Sequence, residues 1–311
     1  MYRVKLQVDP GCTAPPPRGR PCGSWLGHPD PGAALAANLL DDEILAVAKD
    51  YLDDGAAHER GAIVFKTRER KVNLCGSQPM CFNLFAHWRR DLDLATHHAR
   101  GLWPKRIERV VAVHFEHSPG RWNRRFLNNG SAFDLALAHT TPSGGKGLIG
   151  IETKYFEDMR DPPPSWKARY RAVGDGAMCF KSTNIQRDLW RAPVWQLWLD
   201  HLLALSALLA RDNGNALQTR SPPQPDDEFW RRPWDAVLAV VLFPAENTFV
   251  ADAVADYRTR LNTRGLASHE SRTLEEFVRT MRGSEETPWL RTFEERYLDF
   301  GVLDALGIAR W

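Results

Sequence analysis

Residues 132 to 155, AFDLALAHTTPSGGKGLIGIETKY, hold two short apolar runs separated by a segment with Pro, Ser and two Gly. Runs of that length and composition are strands, and the residues between them are those that reverse a chain, so the stretch predicts a β-hairpin. Side chains alternate along a strand, which puts Asp134, Ala136 and Ala138 on one face of the first run and Phe133, Leu135 and Leu137 on the other. On the second run Glu152 and Lys154 share a face, and Ile149, Ile151 and Thr153 point the opposite way. Strands that are apolar on both faces are covered on both sides. A loop centred on residue 143 places Asp134 opposite Glu152, a register that one bulge would shift by a residue.

Two carboxylates and a lysine on one sheet face suit metal-assisted phosphodiester cleavage. Mg²⁺, or Mn²⁺ in its place, is a hard cation that takes oxygen ligands, commonly one or two carboxylates completed by water and substrate phosphate. Asp134 and Glu152 supply such oxygens, and the main-chain carbonyl of Thr153 is a third candidate. Lys154 is placed to orient an attacking water or neutralise developing negative charge. The plainer reading is a surface hairpin with a cross-strand Glu–Lys pair, which contributes little. Against it stand the small and apolar neighbours Ala136, Leu148 and Gly150, because charges in such surroundings are rare unless paired or bound.

The order of elements extends the argument. CFNLFAHWRRDLDLA (81 to 95) has helical apolar spacing and precedes a strand, IERVVAVHFE (107 to 116). After the hairpin come a long apolar helix, PVWQLWLDHLLALSALLARD (193 to 212), a Pro-rich loop and a further strand, DAVLAVVLF (235 to 243). Amphipathic helical segments follow, in NTFVADAVADYRTRL, TLEEFVRTMRG and PWLRTFEERYLDFGVLDAL. The segments 157 to 182 and 212 to 233 read as long loops, of the kind that border sites or interfaces.

Helix, three strands, helix, strand, with Asp on the second strand and Glu-x-Lys on the third, resembles the PD-(D/E)xK nuclease superfamily. More narrowly, CGSQPMCFNLF (75 to 85), FEHSPG (115 to 120), FDLALA, IGIETKYFED (149 to 158) and QRDLWRAPVWQLWLDHLLA (186 to 204) are similar to a bacterial group of restriction-endonuclease-like proteins. The resemblance covers about residues 70 to 310 and implies an α/β (α+β) fold with an αβββαβ core, a central mixed sheet flanked by helices. It implies catalytic roles for Asp134 in FDLAL and for Glu152 and Lys154 in GIETKY, with Phe133 standing where the superfamily motif has Pro. Members often add a glutamate from the first helix or strand, for which Glu116 is the candidate, ahead of Glu43 and Glu59. Strand parity groups Glu116 with Val110, Ala112 and His114, the last read as a packed histidine. A Gln on the helix after the hairpin often approaches the catalytic centre in this superfamily, which points to Gln196; a core Gln satisfied by backbone groups is the alternative.

Composition bounds the rest. At 311 residues, 43% hydrophobic and 26% charged, the chain is an ordinary globular protein, read as an N-terminal addition (1–70: a strand, a Pro/Gly-rich arm and a helix) on a nuclease-like domain (71–311). No apolar run approaches the ~20 residues of a membrane span. Five scattered Cys suit a reducing cytoplasm better than a disulfide framework, and Cys12, Cys22 and His28 do not have zinc-site spacing. Net charge is only +2, so nucleic-acid contacts rest on distribution. Arg121, Arg124 and Arg125 precede the Asp134 strand, Lys167, Arg169, Arg171 and Lys181 follow the Glu152 strand, and Lys66, Arg68, Arg70 and Lys71 cluster upstream. The expected function is metal-dependent hydrolysis of DNA by an endonuclease, in restriction or another defence against foreign DNA. RNA as substrate, a homodimer and a defence-system partner protein stay open. The alternatives are an inactive nuclease-like fold serving as a nucleic-acid-binding or scaffolding subunit, and an α/β protein whose hairpin charges are incidental. The intact Asp, Glu and Lys favour the active enzyme.

Overall fold

The computed structural model describes residues 30–53, 65, 71, 73–182, 184–210, 233–283 and 287–305. Two short helices, α1 (Pro31–Asn38) and α2 (Asp42–Asp53), lead to α3 (Ser77–Arg90) and α4 (Leu92–Leu102). Strands β1 (Arg109–His117), β2 (Phe133–Thr140) and β3 (Lys146–Thr153) follow, then α5 (Ala168–Ala177), α6 (Ile185–Leu189) and α7 (Trp195–Leu209). The chain continues through β4 (Ala236–Phe243), α8 (Thr248–Thr259), α9 (Thr263–Ser268), β5 (His269–Thr273), α10 (Leu274–Arg282), α11 (Pro288–Tyr297) and α12 (Gly301–Ala305).

The five strands form one mixed sheet in the order β1-β2-β3-β4-β5. β1 to β3 form an antiparallel meander, and β4 and β5 add in parallel. The core order αβββαβ is therefore the one expected. So is the hairpin register: Leu135 pairs with Ile151 and Ala136 with Gly150, and one further step brings Asp134 opposite Glu152.

Both faces of the sheet are covered, but by different side chains. One face carries Val113, Phe115, Leu135, Leu137, Ile149, Ile151, Val240 and Leu242 and is covered by α3, α4 and α10, with α2 and α11 packed in turn on α3. The other carries Ala112, Ala136, Ala138 and Ala239 with Leu148 and Val241, and lies beneath α7. Small residues on this second face leave room for rings from the sheet itself, Phe133 among them, which simple alternation puts on the opposite face with Leu135 and Leu137. A Cβ on Gly150 would sit 2.4 Å from the Phe133 ring, and one on Gly147 would sit 2.2 Å from His139.

Several local expectations are corrected. The helix expected over 81–95 is two helices, because Asp91 ends α3 and caps α4, its side chain accepting from the Asp93 and Leu94 N–H groups. The single helix expected in the N-terminal addition is likewise split into α1 and α2. The segment 157–182 is no plain loop, since it contains α5. β5, His269–Thr273, was not expected: HESRT has little apolar character and pairs as a short edge strand. In β1 a register shift between Val110 and Ala112 moves Val110 to the other face, out of the parity that grouped it with Ala112, His114 and Glu116. The N-terminal strand, most of the Pro/Gly-rich arm, Cys12, Cys22, His28, Glu59, Lys66, Arg68, Arg70 and most of the loop 212–233 lie outside the described residues.

Gly150→Ala should destabilise the fold by about 1–3 kcal/mol, because the added methyl must displace the Phe133 ring in a packed layer. Urea denaturation compared with wild type checks this, and an unchanged midpoint would show that the layer has slack.

Candidate active site

The carboxylates gather where β1 and β3 end and β2 begins. Phe115 pairs with Leu135 and His117 with Phe133, so Glu116 lies across from Asp134, which in turn lies across from Glu152. Three acidic residues thus occupy neighbouring positions on three adjacent strands. Asp134 is fixed by Thr153, whose N–H donates to Oδ2 at 2.8 Å and whose hydroxyl donates to the same oxygen at 2.7 Å. The Thr153 hydroxyl also lies 3.4 Å from the Ser77 carbonyl at the start of α3. Thr153 therefore meets Asp134 through its amide and hydroxyl.

Lys154 leaves β3 with its N–H donating to the Leu242 carbonyl at 2.8 Å, which prolongs the parallel ladder with β4. Its ammonium donates to Glu152 Oε1 at 2.6 Å, and the two side chains are only 5% and 12% exposed. α7 covers this pair. Gln196 Nε2 on its first turn is 3.3 Å from Glu152 Oε1, so this amide meets the carboxylate of the Glu-x-Lys segment. One turn further along α7 is Asp200, whose Oδ2 is shut off from solvent and accepts no hydrogen bond among the described residues, although the residue keeps some exposed surface. Sequence reasoning missed this residue. The four-residue spacing from Gln196, which puts both on one helix face, is the signal that marks it.

Glu116 is held differently. Its backbone has φ 50°, rare for a side-chain-bearing residue, and its carboxylate accepts from Gln78 Nε2 on α3. Gln78 Oε1 accepts from the Phe65 N–H at 2.8 Å, so the amide is oriented from both ends. Glu157 closes the turn after Lys154 by accepting from the N–H groups of Tyr155 and Phe156 at 2.6 and 2.9 Å. Asn247 donates to the Tyr155 and Glu157 carbonyls and ties that turn to α8.

The electrostatics follow from burying several acids around one base. Burial raises the Glu152 pKa well above the ordinary carboxylate range, and Asp134 and Asp200 add to the effect, outweighing Lys154. Asp134 is raised by burial despite Lys154 and the Thr153 hydrogen bonds. Asp200 is pushed up to about 7, first by burial, against the pull of Lys154 and with help from Asp134. Burial alone would lower the Lys154 pKa, but Glu152, then Glu157, Asp200 and Asp134, raise it above the usual lysine value, so the ammonium stays charged. Behind them on α3, the Cys81 thiol is pushed well up by burial and then by Asp134, Glu116 and Glu152.

The other candidates sit elsewhere or are already engaged. Glu43 pairs with His87 at 3.1 Å on α2, away from the row of acids. His114 stacks on His117 at 5.2 Å between centroids. Arg121 donates to the Gly130 and Glu116 carbonyls, Lys167 to the Asn128 carbonyl, and Arg169 to the Phe126 and Arg125 carbonyls. These three cations hold the β1–β2 loop in place, whereas Arg124 and Arg125 are exposed on it. Arg171 pairs with Asp175, Arg187 with Asp188 and Arg191 with Asp256, and Lys181 donates to the Thr259 carbonyl.

No group of three or more His, Cys, Asp or Glu side chains among the described residues is arranged to hold a metal ion. Glu152 is engaged by Lys154, and both Asp134 bonds fall on one oxygen. In donor type the cluster nonetheless suits a hard divalent cation: it offers carboxylate oxygens, an orphaned buried Asp200 oxygen, and acids whose mutual repulsion an added cation would relieve.

A family model described as the PD-(D/E)XK nuclease superfamily matches residues 1–299. The chain therefore belongs to that superfamily. The match is to the superfamily as a whole and does not single out the narrower bacterial group. No curated protein and no solved structure matches the chain significantly. Nor is any helix among the described residues long and apolar enough to cross a membrane.

Because the folded-state pKa of Asp200 lies above its ordinary 3.8, its contribution to stability is fully present below about pH 4 and is lost as pH rises through about 7. Asp200→Asn should therefore unfold at a higher temperature than wild type at about pH 8, by about 1–2 kcal/mol after allowance for residual exposure, with the difference closing near about pH 4. Thermal scans across that range check the sign; a variant less stable at the alkaline end would mean that Lys154 attraction outweighs burial.

Proposed function

We propose that this chain is a metal-dependent nuclease that hydrolyses phosphodiester bonds in DNA, with Asp134, Glu152 and Lys154 at its centre. The observation that carries the reading is the nearly buried Glu152–Lys154 pair, joined by Asp134 and Asp200 and touched by Gln196. A buried ion pair adds little net stability, and surplus buried carboxylates subtract from it, so stability alone does not account for the cluster.

Asp134, Glu152 and Asp200 would hold Mg²⁺ or Mn²⁺. When bound, the ion lowers the pKa of a water and stabilises negative charge on the scissile phosphate. The chain's own groups do the remainder. Thr153 takes up one oxygen of Asp134 and leaves Oδ1 without a hydrogen bond among the described residues, so that acid is oriented with one oxygen to spare. Gln196 fixes Glu152. Lys154, kept protonated by the surrounding acids, is suited to orient the attacking water and to neutralise charge building on the phosphate. Glu116, positioned by Gln78 beside Asp134, adds a further carboxylate at the edge of the row. Arg124 and Arg125 supply exposed positive charge for the backbone, and the superfamily's role in restriction suggests defence against foreign DNA as the setting.

Purified protein with Mg²⁺ or Mn²⁺ should nick or cut DNA. Asp134→Ala, Glu152→Ala and Lys154→Ala should each lower the rate by at least about 100-fold while keeping the far-ultraviolet circular dichroism of the wild type. Equal digestion by wild type and Glu152→Ala, or by neither, across a panel of DNA and RNA would sink the catalytic reading.

A further inference from the structure

Three aromatic side chains among the described residues are exposed: Trp122 at 59%, Phe156 at 60% and Phe249 at 46%. Single exposed apolar residues are ordinary. The placement of these three is not. Trp122 lies in the loop from β1 to β2, Phe156 two residues beyond Lys154, and Phe249 on the first turn of α8, just after β4. All three segments leave the same end of the sheet, the end that carries Glu116, Asp134 and Glu152. The other large exposed apolar residues, Met178, Leu209 and Leu266, are aliphatic and lie on α9 or just beyond α5 and at the end of α7.

The backbone that carries Trp122 and Phe156 is fixed by specific contacts. Trp122 has φ 57°, a conformation that costs a bulky residue free energy and persists only where its surroundings impose it. The loop around it is anchored by buried Phe126 and Leu127, and by Asn129 donating to the Tyr170 hydroxyl at 3.1 Å. Arg121, Lys167 and Arg169 add the carbonyl contacts already described. Gly130 packs so closely on Trp122 that a Cβ there would lie 2.9 Å from the ring. Phe156 is presented by the turn that Glu157 closes. Cations accompany two of the rings: exposed Arg124 and Arg125 share the Trp122 loop, and the Arg160 guanidinium is 4.9 Å from the Phe249 centroid, while Lys167, 5.2 Å from the Trp122 centroid, is held by the Asn128 carbonyl.

Fixed, exposed rings interleaved with cations are what binds unpaired bases: the rings stack on base faces and the cations meet the phosphates. Bases in an intact duplex are already stacked on one another and offer no face to such rings. Resting on the proposed nuclease function, we propose that the site takes a single-stranded stretch of nucleic acid, with Trp122 and Phe156 stacking on bases that flank the scissile phosphate and Phe249 extending the platform.

The test is fluorescence anisotropy on the full chain without divalent metal, using a labelled single strand of DNA, the same strand as RNA, and its blunt DNA duplex. The single strand should bind at least about tenfold more tightly than the duplex. Trp122→Ala and Phe156→Ala should each weaken single-strand binding by about tenfold and leave duplex binding within about twofold, while Trp122→Phe recovers most of the loss. Arg124→Ala should weaken both. The RNA arm identifies which unpaired strand is preferred, and tighter binding of either strand than of duplex supports the proposal. Duplex binding equal to or tighter than single-strand binding, or no loss in Trp122→Ala and Phe156→Ala, overturns it. Cleavage separates this proposal from the nuclease reading: selective single-strand binding without any metal-dependent cutting fails the nuclease reading alone, and cutting with duplex preference fails only the stacking platform.

Discussion

The β2–β3 register governs this structure, because it brings Asp134 against both Thr153 and Glu152. A slip of one residue would exchange the faces of a strand. In many sheets covered on both sides that exchange would be tolerable, since both faces are apolar. Here one face is built from Leu and Ile and the other from Ala and Gly, with Phe133 and His139 filling the space over Gly150 and Gly147. The bulky and the small face are not interchangeable, so the packing that stabilises the sheet also sets which oxygens meet at its end. Position and stability are coupled through side-chain volume.

The cluster at that end works against stability. Desolvation raises the pKa of Asp134, Glu152 and Asp200, and Lys154 is the base that pulls against it at all three. The surrounding helices supply the compensation: α3 offers Gln78 and the Ser77 carbonyl, α7 offers Gln196, and the large aromatic and aliphatic layers on both sides bury the rest. A costly polar centre is thus kept in place by a well-packed frame, the energetic pattern that accompanies the proposed function.

Much of this was legible in the linear chain, and the losses have identifiable causes. Strong periodic segments carried β1 to β4 and α7, and the turn composition of TTPSGGK carried the hairpin. β5 was invisible because HESRT has no apolar alternation and owes its extended form to pairing with β4. α5 was hidden in a region rich in Pro at its start and Gly within, where propensity is poor and packing against α7 decides. Several cations expected to face phosphate, Arg121, Lys167 and Arg169, bind loop carbonyls; charge in a sequence does not say which hydrogen-bond acceptors the fold will bring near.

By itself the sequence determined the αβββαβ order of the core, the hairpin register and the placement of Asp134 opposite Glu152, because alternation, turn chemistry and spacing act over a few residues. Only the tertiary structure decided what surrounds them. Asp200 with its unpartnered oxygen, Gln78 on Glu116, the left-handed backbone at Glu116 and Trp122, and the gathering of three exposed rings at one sheet end all depend on contacts between distant segments. Such contacts arise when helices close on the two unequal faces of the sheet, and no local pattern encodes which side chains they bring together.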